Sequence, residues 1–88
     1  MSEQNHEGTF FLDITGETCP MTFVRTRLML DRLPMGSRLT VRLTGKEPLE
    51  GVPRSAAGLG HLVLAIEPEV PGRTAPSDVW LVSLRKGG

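Results

Sequence analysis

The sequence predicts an α/β two-layer sandwich, with two helices covering one face of a mixed four-stranded sheet. Three observations predict it: short alternating apolar segments, two helical segments interleaved with them, and one strand whose alternate residues are all polar.

Taken in order, Thr9–Ile14 reads as a strand, with Phe10, Leu12 and Ile14 on one face and Phe11 and Asp13 on the other. Gly16-Glu17-Thr18 breaks the alternation, and Pro20 suits the first turn of a helix, where a missing N–H costs nothing. From there to Arg32 the chain has no Gly or further Pro and is rich in Leu, Met and Arg, good helix formers. Pro34-Met35-Gly36 stops it. Arg38–Thr44 alternates strictly, Leu39, Val41 and Leu43 inward and Arg38, Thr40, Arg42 and Thr44 outward, a strand with one wet face.

A second helix is expected between Leu49 and Leu59, its apolar side made by Leu49, Val52, Ala56 and Leu59. Pro53 predicts a kink there or a fresh start, and Gly58 and Gly60 supply the end. His61–Glu67 is a nearly continuous apolar run and predicts a buried strand. Pro68–Ser77 holds three prolines and a glycine and predicts a loop of low order. Val79–Arg85 is the last strand. A strand–helix–strand unit implies a parallel pair with a right-handed crossover, and the wet face of the second strand puts both helices on one side. The organisation is therefore a flexible N-terminus at 1–8, one domain at 9–85 with a mobile loop at 68–77, and a tail at 86–88.

Composition narrows the function. A chain of 88 residues buries roughly 60–65% of its unfolded surface, too little to wall off a large catalytic cavity, so chemistry belongs on the surface. Ten basic and ten acidic residues cancel, which speaks against a nucleic-acid partner. Met1–Gly8 has no apolar core for a secretory signal, and no run approaches the roughly 20 apolar residues of a membrane span; a cytoplasmic protein without a membrane partner is expected. The one cysteine, Cys19, cannot form an internal disulfide. With only His6 and His61 beside it, a closed zinc site would need carboxylates, so neither a structural metal nor a cofactor is expected. A free thiol in a reducing compartment remains.

Cys19 falls at the N-cap of the first helix, just before Pro20, with Met21 and Thr22 in the first turn. The first N–H groups of a helix lack intrahelical partners, and with the macrodipole they favour negative charge. A thiol there loses its proton more readily, and the thiolate is the nucleophile. The same donors would favour a persulfide anion. Against this, Glu17 lies two residues away and opposes a second negative charge. Position alone leaves two readings open, a reactive thiol and a small buried apolar one.

The run Leu12-Asp13-Ile14-Thr15-Gly16-Glu17-Thr18-Cys19-Pro20 resembles the entrance of the TusA/SirA-like family, in which a strand ending in Leu-Asp leads through a glycine to Cys-Pro. The spacing to Pro34-Met35-Gly36, the alternating strand behind it, and Glu47-Pro48 followed by Pro53 extend the likeness over Thr9 to Arg85. The resemblance implies sheet order 1-2-4-3 with the last strand antiparallel. It further implies a sulfurtransferase-type sulfur carrier that accepts sulfane sulfur as a persulfide on Cys19. The implied partners are a donor protein, a cysteine desulfurase or rhodanese-like enzyme, and an acceptor protein. Two positions depart from the family pattern: Thr22 stands where Cys-Pro-x-Pro has its second proline, and Lys46 lies in a loop that is acidic in tRNA-thiolation members. Both mark a divergent subgroup.

Projecting the first helix gives two apolar arcs. Phe23, Thr26, Leu30 and Leu33 should face the sheet; Met21, Val24 and Leu28 lie either under the second helix or in the open as a docking stripe. Arg25, Arg27, Arg32 and Arg54 read as solvated charges, with Arg25 and Arg54 the candidates for attracting an acidic donor surface or an anionic sulfur source. Two rival functions stand beside the carrier: a regulatory or adaptor module acting by binding alone, and a carrier that holds sulfur as a thiocarboxylate on Gly87-Gly88.

Overall fold

A computed structural model of the chain describes residues 3–6, 8–18 and 20–87, and side chains from residue 8 onward. The elements are β1 (Glu3–His6), β2 (Thr9–Asp13), α1 (Met21–Arg32), β3 (Arg38–Thr44), α2 (Lys46–Gly58), β4 (Leu62–Pro68) and β5 (Val79–Arg85). They form one sheet in the order β1-β2-β3-β5-β4. Without β1 this is the expected mixed four-stranded sheet in the order 1-2-4-3. β2 and β3 run parallel, and β5 is antiparallel to both β3 and β4.

The fifth strand corrects the reading of residues 1–8 as a flexible end. Glu3–His6 pairs antiparallel with β2, turning through Gly8 at φ +68°. A strand added to a sheet edge is held by backbone groups, so its polar residues carry no alternation to betray it.

The core lies between the helices and the strand faces they cover. Leu12, Ile14, Leu39, Val41, Leu43, Val82 and Leu84 from the sheet side meet Met29, Leu30, Leu33, Val52 and Ala56 from the helix side, all buried. Each large side chain so buried contributes roughly 1.5–3 kcal/mol. The helices meet where Gly51 of α2 faces Phe23 of α1, and a Cβ at Gly51 would sit 2.5 Å from the Phe23 ring. α2 begins three residues before the expected Leu49 and runs through Pro53, which is buried.

Two further expectations change. His61–Glu67 was expected to be a buried strand; β4 instead forms the sheet edge, paired on one side only, with Leu62, Val63, Leu64 and Ile66 exposed. An uninterrupted apolar run fits a central strand, but its neighbours are decided by the whole sheet. The 68–77 segment, expected to be of low order, carries turn bonds from Arg73 N–H to Val70 O and Asp78 N–H to Ala75 O. It is also joined to β3, whose Thr44 hydroxyl donates to Ser77 O at 2.9 Å. No helix among the described residues is long and apolar enough to cross a membrane.

Candidate functional site at the start of the first helix

β2 and β3 are parallel, so the loop that follows Asp13 and the starts of both helices gather at one end of the molecule. Residues 14–18 are wound tightly there. Ile14 N–H donates to Arg42 O at 2.9 Å, and Glu17 N–H donates back to Ile14 O at 3.0 Å. The Asp13 carboxylate accepts from both the amide and the hydroxyl of Thr15, at 2.9 and 2.7 Å. This Asx-type turn bends the chain away from the strand.

Cys19 itself lies outside the described residues; the groups on either side of it define its setting. Helix α1 is capped by Pro20, with Met21 the first helical residue, one position later than the N-cap expected at Cys19. A shift of one residue at a helix end is within what cap geometry permits. The first-turn amides are partly spoken for. Met21 N–H donates to Thr18 O at 2.7 Å, and Phe23 and Val24 N–H both donate to Pro20 O at 3.1 Å. The open fan of donors expected from sequence is thus reduced, leaving the helix dipole as the main positive influence. No acidic residue lies in the first turn to oppose it.

By its position in the sequence Glu17 opposes a thiolate at Cys19. Arg25 Nη1 donates to Glu17 Oε2 at 2.9 Å, both side chains being partly buried. The pair ties the loop to the second turn of α1 and offsets the charge of Glu17 locally. Sequence reasoning missed it because eight positions separate the two residues, and no periodicity marks a contact made by a loop folding back on a helix.

Among the other candidates, Pro20 is exposed, Met21 opens the helix, and Thr22 is buried, its carbonyl accepting from the Thr26 hydroxyl at 2.8 Å. Met21, Val24 and Leu28 are exposed at 43%, 40% and 57%, so they are not covered by α2. They form one stripe down the outer face of α1. Phe23, Thr26, Leu30 and Leu33 turn inward as expected, joined by Thr22 and Met29. Arg25 borders the stripe, whereas Arg54 stands exposed on α2 with no ion pair among the described residues. Only a shallow groove lies between the helices, bordered by Phe23, Thr26, Leu30, Val52, Ala56 and Leu59.

A second ion cluster braces the same end from the helix-free face. Arg42, placed on the outer face by the alternation of its strand, grips Glu69 with two bonds of 2.6 and 3.0 Å and Asp13 with one of 3.1 Å. Burial alone would push the Asp13 carboxyl up, but hydrogen bonds from Thr15 and Arg42 outweigh it and hold it below its ordinary value. The hydrogen bond from Arg42 lowers Glu69 likewise.

His61 lies buried at the other end of the sheet, where β4 begins, and its Nδ1 accepts from Gly87 N–H at 3.1 Å. Lys86 is tied at the same end, its Nζ donating to Leu30 O and its amide to Ser37 O. A Cβ at Gly87 would run into the Gly60 carbonyl. Through residue 87 the tail is laid into the fold.

Residues 10–75 match a protein family described as sulfurtransferase TusA. The chain is 41% identical over 61 residues to an Archaeoglobus fulgidus protein named for a sulfur-carrier role, covering 69% of each. It is 35% identical over 80 residues to a Thermotoga maritima protein named likewise, covering 91% of this chain and 94% of that one. Among solved structures, the crystal structure of a SirA-like protein from Desulfitobacterium hafniense superposes with a TM-score of 0.66 at 22% identity, over 89% of this chain and 97% of that one. That likeness is one of fold.

Proposed function

The chain belongs to the sulfurtransferase TusA family, and we propose that it is a sulfur carrier whose Cys19 receives sulfane sulfur from a donor protein and passes it to an acceptor protein. The observation that carries the proposal is the partly buried Glu17–Arg25 pair, which offsets the one acidic side chain close to Cys19 in sequence. The names of the relatives support the same reading.

In the loading step the Cys19 thiolate attacks the outer sulfur of a donor persulfide. One S–S bond breaks as another forms on Cys19, and the donor cysteine leaves as its thiolate. The exchange is redox-neutral and needs neither metal nor cofactor. Unloading is the same step with an acceptor thiolate as nucleophile. The dipole of α1 favours the anionic form of both thiol and persulfide.

The exposed Met21–Val24–Leu28 stripe, bordered by Arg25, is where the two partner proteins would dock, with Pro20 and Thr22 shaping the turn between stripe and sulfur. An apolar patch rimmed by charge is typical of surfaces that bind other proteins transiently. A cytoplasmic setting fits a thiol that must stay reduced between transfers.

Intact mass spectrometry after incubation with a persulfide-loaded desulfurase tests the reading. Wild-type protein should gain the mass of one sulfur atom, removable by a reducing thiol, and Cys19→Ser should gain none. Equal gain in the variant would overturn the assignment, and gain on the C-terminal residues would favour the thiocarboxylate alternative. No gain in either protein, with partner binding intact, would leave the adaptor.

A further inference from the structure

We infer that the free edge of the sheet along β4 is an interface for a second copy of this chain, made by antiparallel pairing of β4 with its counterpart across a two-fold axis. This is independent of the chemistry of Cys19.

β4 closes the sheet and, among the described residues, pairs with β5 alone. Four of its side chains are large and aliphatic, and they stay exposed: Leu62 at 56%, Val63 at 37%, Leu64 at 42% and Ile66 at 46%. Proteins ordinarily blunt such an edge with lysines or very short strands, because its open N–H and C=O groups are a template for another strand. β4 has seven residues and no lysine; Glu67 is its only charge.

The ladder slips by one residue between Val63 and Ala65. Across it, Leu62, Ala65 and Glu67 oppose Arg85, Ser83 and Leu81, while Val63 and Ile66 oppose the core residues Leu84 and Val82. Leu62 and Glu67 therefore share the helix-free face and Val63 and Ile66 share the helix side. In an uninterrupted strand, residues five apart point to opposite faces. With the bulge, a single antiparallel register sets Leu62 against Glu67 of the second copy and Val63 against Ile66. Both of these opposed pairs then lie on a common face, and the two-fold makes each contact twice.

Charge selects the same register. Arg85 and Arg38 oppose one another across β3 and β5 on the helix-free face, like charges without an ion-pair partner among the described residues. Glu67 likewise has no ion pair there. Pairing the edges brings Arg38, Arg85, Leu62 and Glu67 of the second copy into one row, in which the Arg85 stem crosses Leu62 and its guanidinium reaches the carboxylate. An edge of this length supplies less than the roughly 800 Å² per partner of a standard interface, so the dimer should form at micromolar concentration or above.

Sedimentation velocity from about 10 μM to about 1 mM, a range chosen to bracket that affinity, tests this. Wild type should shift from one chain toward two. Glu67→Arg and Arg85→Glu should each weaken association about tenfold, or 1.4 kcal/mol, the double charge swap should recover most of it, and Leu64→Lys should abolish it. These residues are exposed, so circular dichroism should show all variants folded. A wild type that stays monomeric at the highest concentration, or a dimer indifferent to both charge reversals, would overturn the inference.

Discussion

Arg25 of the first helix holds Glu17 of the preceding loop with an ion pair of 2.9 Å. The two are eight residues apart, and between them lie Cys19 and the start of α1. One guanidinium thus ties Glu17 to the second turn of α1 and offsets a carboxylate whose field would oppose a thiolate. Because both side chains are partly open to solvent, the electrostatic effect is modest and salt-sensitive.

Replacing Arg25 with Gln should slow alkylation of Cys19 at neutral pH by about two- to threefold and move its pH midpoint upward. Glu17→Gln in the same background should restore the rate. Iodoacetamide kinetics across pH measure both, and a rate unchanged by either substitution would show that the pair serves the loop alone.

Val24 and Leu28 stand clear of the core, so Val24→Ser and Leu28→Ser should each cost about 0.5 kcal/mol or less. For a domain this small that corresponds to about 4 °C or less in Tm. Sulfur exchange with partner proteins should nevertheless slow severalfold. A thermal melt run beside a transfer assay separates the two effects.

Asp13 and Glu69 both have folded-state pKa values below their ordinary ones, Asp13 held there against burial by Thr15 and then Arg42, and Glu69 by Arg42. A depressed carboxylate adds stability that is complete above its unfolded pKa, about 3.9 to 4.3, and lost as pH falls through the folded value. Tm should therefore drop steeply below about pH 4. Arg42→Gln should lower Tm by several degrees at pH 7 and flatten the acid limb, so that the two proteins converge at the lowest pH. Scanning calorimetry from neutral to acid pH checks the convergence.

Two glycines make opposite predictions. Gly58 closes α2 with open space around it, so Gly58→Ala should stabilise by about 0.5–1 kcal/mol through helix propensity. Gly87 lies against the Gly60 carbonyl. Gly87→Ala should cost about 1–2 kcal/mol, because the tail must leave His61 to relieve the clash. Urea unfolding of both variants measures the contrast.

Much of this architecture is written in local pattern. The strict alternation of Arg38–Thr44 fixed a half-wet strand, and its Leu39, Val41 and Leu43 are fully buried. Leu12-Asp13 through Cys19-Pro20 marked the site, since a strand end, a glycine turn and a helix start are all short-range features. Less legible were contacts that depend on which elements become neighbours. Glu3–His6 joined the sheet by pairing with β2, and the apolar run before Glu67 came to rest at an edge. Whether Met21, Val24 and Leu28 would be covered depended on where α2 settled.

Periodicity, turn chemistry and the placement of one cysteine belong to the chain as a string, because each is fixed by residues within a few positions of one another. The Glu17–Arg25 pair, the grip of Arg42 on Asp13 and Glu69, and the exposed flank of β4 belong to the assembled molecule. They join or leave open groups that only the packing of helices on a sheet brings within reach.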